Sequence, residues 1–123
     1  MDISRFEKTN AQLEGLFNEI GTLSKKKPDD AINKFKLKFI NQIILESNDI
    51  LGDLNLPFAD FRGFEEEDMP SNSDVVIILS QYLNCLEKLR ADNITPYGGG
   101  WYWLLNGNRT ETRTAPPKKI FHK

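Results

Sequence analysis

The chain has one cysteine, one histidine and no apolar run approaching the roughly 18–20 residues that span a bilayer. The single cysteine, Cys85, excludes an intramolecular disulfide framework, and a reducing, cytoplasmic home is expected. Cys85 lies in an apolar helical stretch, where a free thiol packs as a small core residue. No histidine near it in sequence could activate it. The one histidine, His122, stands next to the C-terminus, which argues against a histidine-based triad or a histidine zinc cluster. Gly98-Gly99-Gly100 is not followed by the Gly-Lys-Ser/Thr of a phosphate loop. The opening Met1-Asp2-Ile3-Ser4-Arg5-Phe6 has no basic start leading into an apolar stretch, so no secretory signal is expected. Asn93-Ile94-Thr95 and Asn108-Arg109-Thr110 match the glycosylation sequon and, without such a signal, read as chance matches. The expectation is a non-enzymatic protein without cofactor, metal or membrane association.

What is present is ordinary globular material. At 123 residues, 39% hydrophobic and 28% charged, the chain suits one domain with one core. The net charge of −2 is unevenly spread: residues 1–105 carry 11 basic and 17 acidic side chains, a balance of −6, whereas residues 106–123 carry five basic and one acidic, a balance of +4. Such asymmetry can steer a partner of either sign, or the basic tail can fold back over the acidic loop.

Three segments have helical spacing. Phe6, Leu13, Leu16, Phe17, Ile20 and Leu23 form one stripe over about Ser4 to Leu23. Pro28-Asp29-Asp30 reads as the opening of a second helix, with proline at the first position and acid at the positive end of the dipole. Its apolar rhythm continues to Gly52, a plausible stop. Ser71 and Asp74 form a capping-box pattern ahead of Val75-Val76-Ile77-Ile78-Leu79, which introduces a third helix closed by Lys88 and Arg90. A core of Phe35, Phe39, Ile43, Leu79, Leu83 and Leu86 is expected. The fold expected is a three-helix bundle, mainly α, with a C-terminal β-hairpin packed on it and α+β as the alternative. Within one domain, the helical body spans about 4–91, the hairpin about 100–114 and the basic tail 115–123.

Asn106-Gly107 lies between an aromatic run and an alternating Arg/Thr run, a strong signal for a type I′ hairpin. A two-residue turn places Trp101, Trp103 and Leu105 on one face with Thr110, Thr112 and Thr114. Tyr102 and Leu104 share the other face with Arg109, Glu111 and Arg113. That second face either stacks a base or grips a phosphate, makes a protein contact, or is an ordinary exposed face on which Glu111 partners its arginines.

The connection from Leu54 to Asn72 carries Phe58, Phe61 and Phe64 before Glu65, Glu66, Glu67 and Asp68. It reads as a core-capping loop or as an adhesive loop with aromatic anchors and an acidic rim. These two places define the candidate partner-binding residues: Phe58, Phe61, Phe64, Glu65, Glu66, Glu67, Tyr102, Arg109 and Arg113. The leading reading is a small intracellular adaptor, inhibitor, immunity-type protein or regulatory subunit whose partner is another protein, with a homodimer as a competing outcome. The other reading is nucleotide or single-stranded nucleic-acid binding through hairpin and tail. Non-specific duplex binding is disfavoured because the −6 body cannot neutralise phosphates.

Overall fold

A computed structural model describes residues 1–119; His122 and Lys123 lie outside the described residues. Helix α1 runs Ile3–Lys26, α2 Lys34–Leu51 and α3 Asn72–Ala91, followed by strands β1 Ile94–Tyr97, β2 Gly100–Leu105 and β3 Asn108–Thr114. The strands form one antiparallel sheet in the order β1-β2-β3. Three helices with a C-terminal hairpin are as expected; the additional strand β1 widens the hairpin into a meander.

Helix starts follow side-chain capping. The Asp2 carboxylate accepts from the Arg5 backbone N–H at 3.0 Å, so α1 begins just ahead of Ser4. At α3 the capping box is complete: Ser71 Oγ accepts from Asp74 N–H at 3.1 Å, and Asp74 accepts from Ser71 N–H at 3.0 Å. The α2 start differs from the sequence expectation. Pro28 to Asp30 form a turn, and Asn33 caps the helix by accepting from the N–H groups of Phe35 and Lys36 at 2.8 and 3.2 Å. The backbone ahead of Asn33 is committed elsewhere: Ile32 N–H donates to Pro70 O, and the N–H groups of Asn72 and Ser73 donate to Asp30 O and Pro28 O. A helix begun at Pro28 would forfeit that strap.

The core joins all three helices to the sheet. Leu13 and Ile20 of α1, Ile40 and Ile44 of α2, Leu79 and Leu86 of α3, and Trp103 of β2 are sealed from solvent. Trp103 meets the Phe6 ring edge-on, centroids 5.1 Å apart. Its indole N–H is buried and finds no hydrogen-bond partner among the described residues. The expected core is half right. Leu79, Leu83 and Leu86 are buried and Ile43 is partly so, but Phe35 and Phe39 are 70% and 42% exposed. Helix α2 carries two apolar stripes, and the one through Leu37, Ile40, Ile44 and Leu51 takes the core, leaving Phe35 and Phe39 packed on each other at 4.9 Å.

The tail after β3 is stitched to α3 and α1. Buried Arg90 uses all five guanidinium N–H donors: two on Glu87 at 2.9 Å each, and three on Thr114 Oγ1, Ala115 O and Pro116 O at 2.8 Å each. Glu87 also accepts from the Lys118 backbone N–H at 2.7 Å, and the Lys118 ammonium lies 4.0 Å from Glu14. The described part of the tail therefore folds against Glu87 and Glu14, not over the acidic loop.

Candidate functional site

The sheet has one face toward the helices and one toward solvent. Register pairs Ile94 with Trp103 and Pro96 with Trp101; Ile94, Trp103 and Trp101 face the core, while Pro96 lies at the exposed end of the same face. Thr95 pairs with Tyr102, Tyr97 with Gly100, Leu104 with Arg109 and Tyr102 with Arg113, and these share the outer face. The division of β2 and β3 agrees with a two-residue turn, and Asn106 and Gly107 do adopt positive φ, 52° and 80°. The register slips between Tyr102 and Leu104, where residues 110–112 of β3 bulge opposite Trp103. Thr110 fills the gap: its hydroxyl donates to Trp103 O at 2.8 Å and accepts from the Thr112 N–H at 3.2 Å.

On the outer face, arginines lie over tyrosines. The Arg109 guanidinium sits 3.8 Å from the Tyr97 ring centroid and 5.5 Å from that of Tyr102, and Arg113 lies 5.6 Å from Tyr102. The two tyrosine rings meet edge-on at 6.4 Å. Each such contact contributes about 0.5–1 kcal/mol at an exposed site. Gly100 leaves room for this arrangement, since a Cβ in its place would meet the Arg113 guanidinium and push it aside. Among the described residues no ion pair joins Glu111 to either arginine, so the tyrosine rings, not Glu111, set the arginine positions. The result is a solvent-facing ridge with aromatic faces and two fixed cations, suited to carboxylate or phosphate groups and to a stacking partner.

The acidic loop is a separate feature. Phe61 packs against Phe64 at 5.2 Å and near Tyr82 at 6.4 Å, and both Phe61 and Phe64 are half-buried. Asn41 of α2 pins the loop by donating to Phe64 O at 3.0 Å and accepting from Phe64 N–H at 2.8 Å. Phe58 remains more open, 6.2 Å from Phe61. Glu65, Glu66 and Glu67 are exposed, with Glu66 paired to Lys34 at 3.2 Å. The loop's hydrogen bonds and ring contacts go to α2 and the middle of α3, whereas the sheet is anchored at Phe6 and Arg90. Tyr82 and Arg90 are about 12 Å apart along α3, at 1.5 Å per residue. The structure thus gathers Tyr102, Arg109 and Arg113 in one place and Phe58, Phe61, Phe64 and Glu65 to Glu67 in another.

Tyr97 belongs to the first group and was missed, as was strand β1. Its signal was legible: Gly98 and Gly99, at φ 55° and 84°, make a second tight hairpin turn after an Ile-Thr-Pro-Tyr stretch. Elsewhere little chemistry is assembled. Burial pushes the Cys85 thiol above its ordinary value, with Lys88 opposing weakly, so it is a poor nucleophile. Among the described residues no three His, Cys, Asp or Glu side chains are placed to hold a metal ion, and no helix is long and apolar enough to cross a membrane. Compared with family models, curated proteins and solved structures, the chain matches none.

Proposed function

We propose that the protein is a small, non-enzymatic binding protein that acts through protein–protein contacts, with the outer sheet face as its principal recognition surface and an acidic segment of another protein as its partner. The observation that carries this reading is the stacking of Arg109 on Tyr97, with Arg113 over Tyr102, on a surface open to solvent. Stacking holds each guanidinium in place while leaving its N–H edges for carboxylates, which lowers the entropy lost on binding. The free Cys85 fits a reducing, cytoplasmic setting. An adaptor, inhibitor, immunity-type or regulatory role follows the same logic, with the Phe58-to-Asp68 loop as a secondary contact for a basic surface.

The ridge also supports the second reading, a nucleotide or short single strand, because bases stack on tyrosine and phosphates bind arginine. Titrating the protein with a glutamate-rich peptide and, separately, with a single-stranded oligonucleotide at two salt concentrations distinguishes them. Peptide binding lost in Arg109→Ala/Arg113→Ala supports the first. Tight, salt-sensitive oligonucleotide binding replaces it with the second, and no response to either ligand rejects the sheet face.

A further inference from the structure

Independently of the sheet, the outer face of α1 and α2 carries a groove of about 600 Å³, floored by Leu16, Phe39 and Ile43 and edged by Gln12, Gly15, Glu19 and Gln42. Exposed Phe35 extends it by its ring contact with Phe39. We infer that a second copy of this chain covers the groove, with the two α1 helices antiparallel across a two-fold axis.

Three observations select a second copy as the occupant. The exposed edge of α1 presents Lys8, Gln12, Gly15 and Glu19 at spacings of four, three and four, one continuous helical stripe. Lys8 and Glu19 lie equally far in sequence from the midpoint between Gln12 and Gly15. An antiparallel copy that sets Gln12 against the partner's Gly15 therefore sets Lys8 against the partner's Glu19, twice, as a two-fold interface demands; Glu19, paired within its own chain to Lys36 at 3.5 Å, is more than half exposed and keeps an open side for it. Second, charge on this face is balanced, with Arg5, Lys8 and Lys36 against Glu19, Glu46 and Asp49, although the rest of the body is acidic; like copies meet here without net repulsion. Third, among the described residues nothing lies within 4 Å of where a Gly15 Cβ would stand. A second helix can therefore approach the backbone closely at this point of the stripe.

The test is sedimentation equilibrium of the full chain over a concentration series, with circular dichroism to confirm that each variant is folded. The wild type is expected to dimerise. Lys8→Glu sets glutamate against glutamate across the axis, and Glu19→Lys sets lysine against lysine; each is expected to weaken the dimer by about tenfold. Mixing the two variants restores both opposite-charge pairs, so the mixture is expected to dimerise more tightly than either alone. A wild type that stays monomeric throughout, a dimer untouched by either change, or a mixture no tighter than its components would each overturn the inference.

Discussion

Glu87 and Arg90, one turn apart near the end of α3, form a two-bonded ion pair at 2.9 Å whose other donors hold the chain leaving the sheet. Arg90 is 5% exposed. Removing one member of a buried, satisfied pair strands the other, which costs about 3–5 kcal/mol. Arg90→Ala is therefore expected to lower stability by that amount in urea unfolding. Arg90→Lys should recover only part of it, because an ammonium cannot reproduce five fixed N–H directions. Glu87→Gln should cost less than Arg90→Ala, since the amide oxygen still accepts.

Leu83 of α3 and Phe39 of α2, both expected in the core from sequence, carry opposite forecasts. Leu83→Ala should destabilise by about 2–5 kcal/mol, through lost burial and the cavity left behind. Phe39→Ala should cost less, because Phe39 is 42% exposed and its ring packs on the still more exposed Phe35. Comparable losses for both in thermal melts would show that the α2 face is buried in the protein as it exists in solution.

Tyr82 is sealed in the core, its hydroxyl donating to Asn48 Oδ1 at 2.6 Å. Burial raises its pKa above the ordinary phenol value, opposed by the bond to Asn48 and the charge of Arg62. The unfolded chain therefore releases this proton first as pH rises. The corresponding stability is complete below about pH 10 and declines above it toward the higher folded value. Tyr82→Phe should cost about 1–2 kcal/mol at neutral pH by leaving Asn48 Oδ1 without its donor. The melting-temperature gap between wild type and Tyr82→Phe should shrink between about pH 9 and about pH 11. A constant gap would contradict a raised Tyr82.

Gly107 sits at φ 80° in the β2–β3 turn. Gly107→Ala should cost about 1–2 kcal/mol, because a side chain is disfavoured in the left-handed region. Gly100→Ala differs in kind: it displaces Arg113 from above Tyr102, so it is expected to weaken the proposed peptide binding more than it lowers the melting temperature.

Local chemistry made much of the fold legible. The Ser71/Asp74 capping box, the Gly52 stop and the Asn106-Gly107 turn each rest on contacts within four residues, so a short stretch of sequence contains both partners. That Tyr102 and Leu104 share a face with Arg109 and Arg113 follows from strand alternation once the turn is placed, whereas the direct opposition of Tyr102 to Arg113 depends on the register slip opposite Trp103. Local reading failed where a distant segment competed for the same groups. Pro28 to Asp30 reads locally as a helix start but forms a turn, because the carbonyls of Pro28 and Asp30 accept from the N–H groups of Ser73 and Asn72, more than forty residues on.

By itself the sequence determined three amphipathic helices and a two-faced hairpin, because spacing and caps act over one or two turns. It also determined the scarcity of histidine and cysteine on which the non-enzymatic reading rests. Only tertiary structure decided which stripe of α2 is core, since both are apolar and the choice depends on what α1 and α3 present. It likewise decided that Arg90 is a buried clasp, that Tyr97 joins Tyr102 beneath the arginines, and that the phenylalanine loop lies apart from the sheet. Each of these depends on side chains meeting across long sequence separations, where periodicity carries no information.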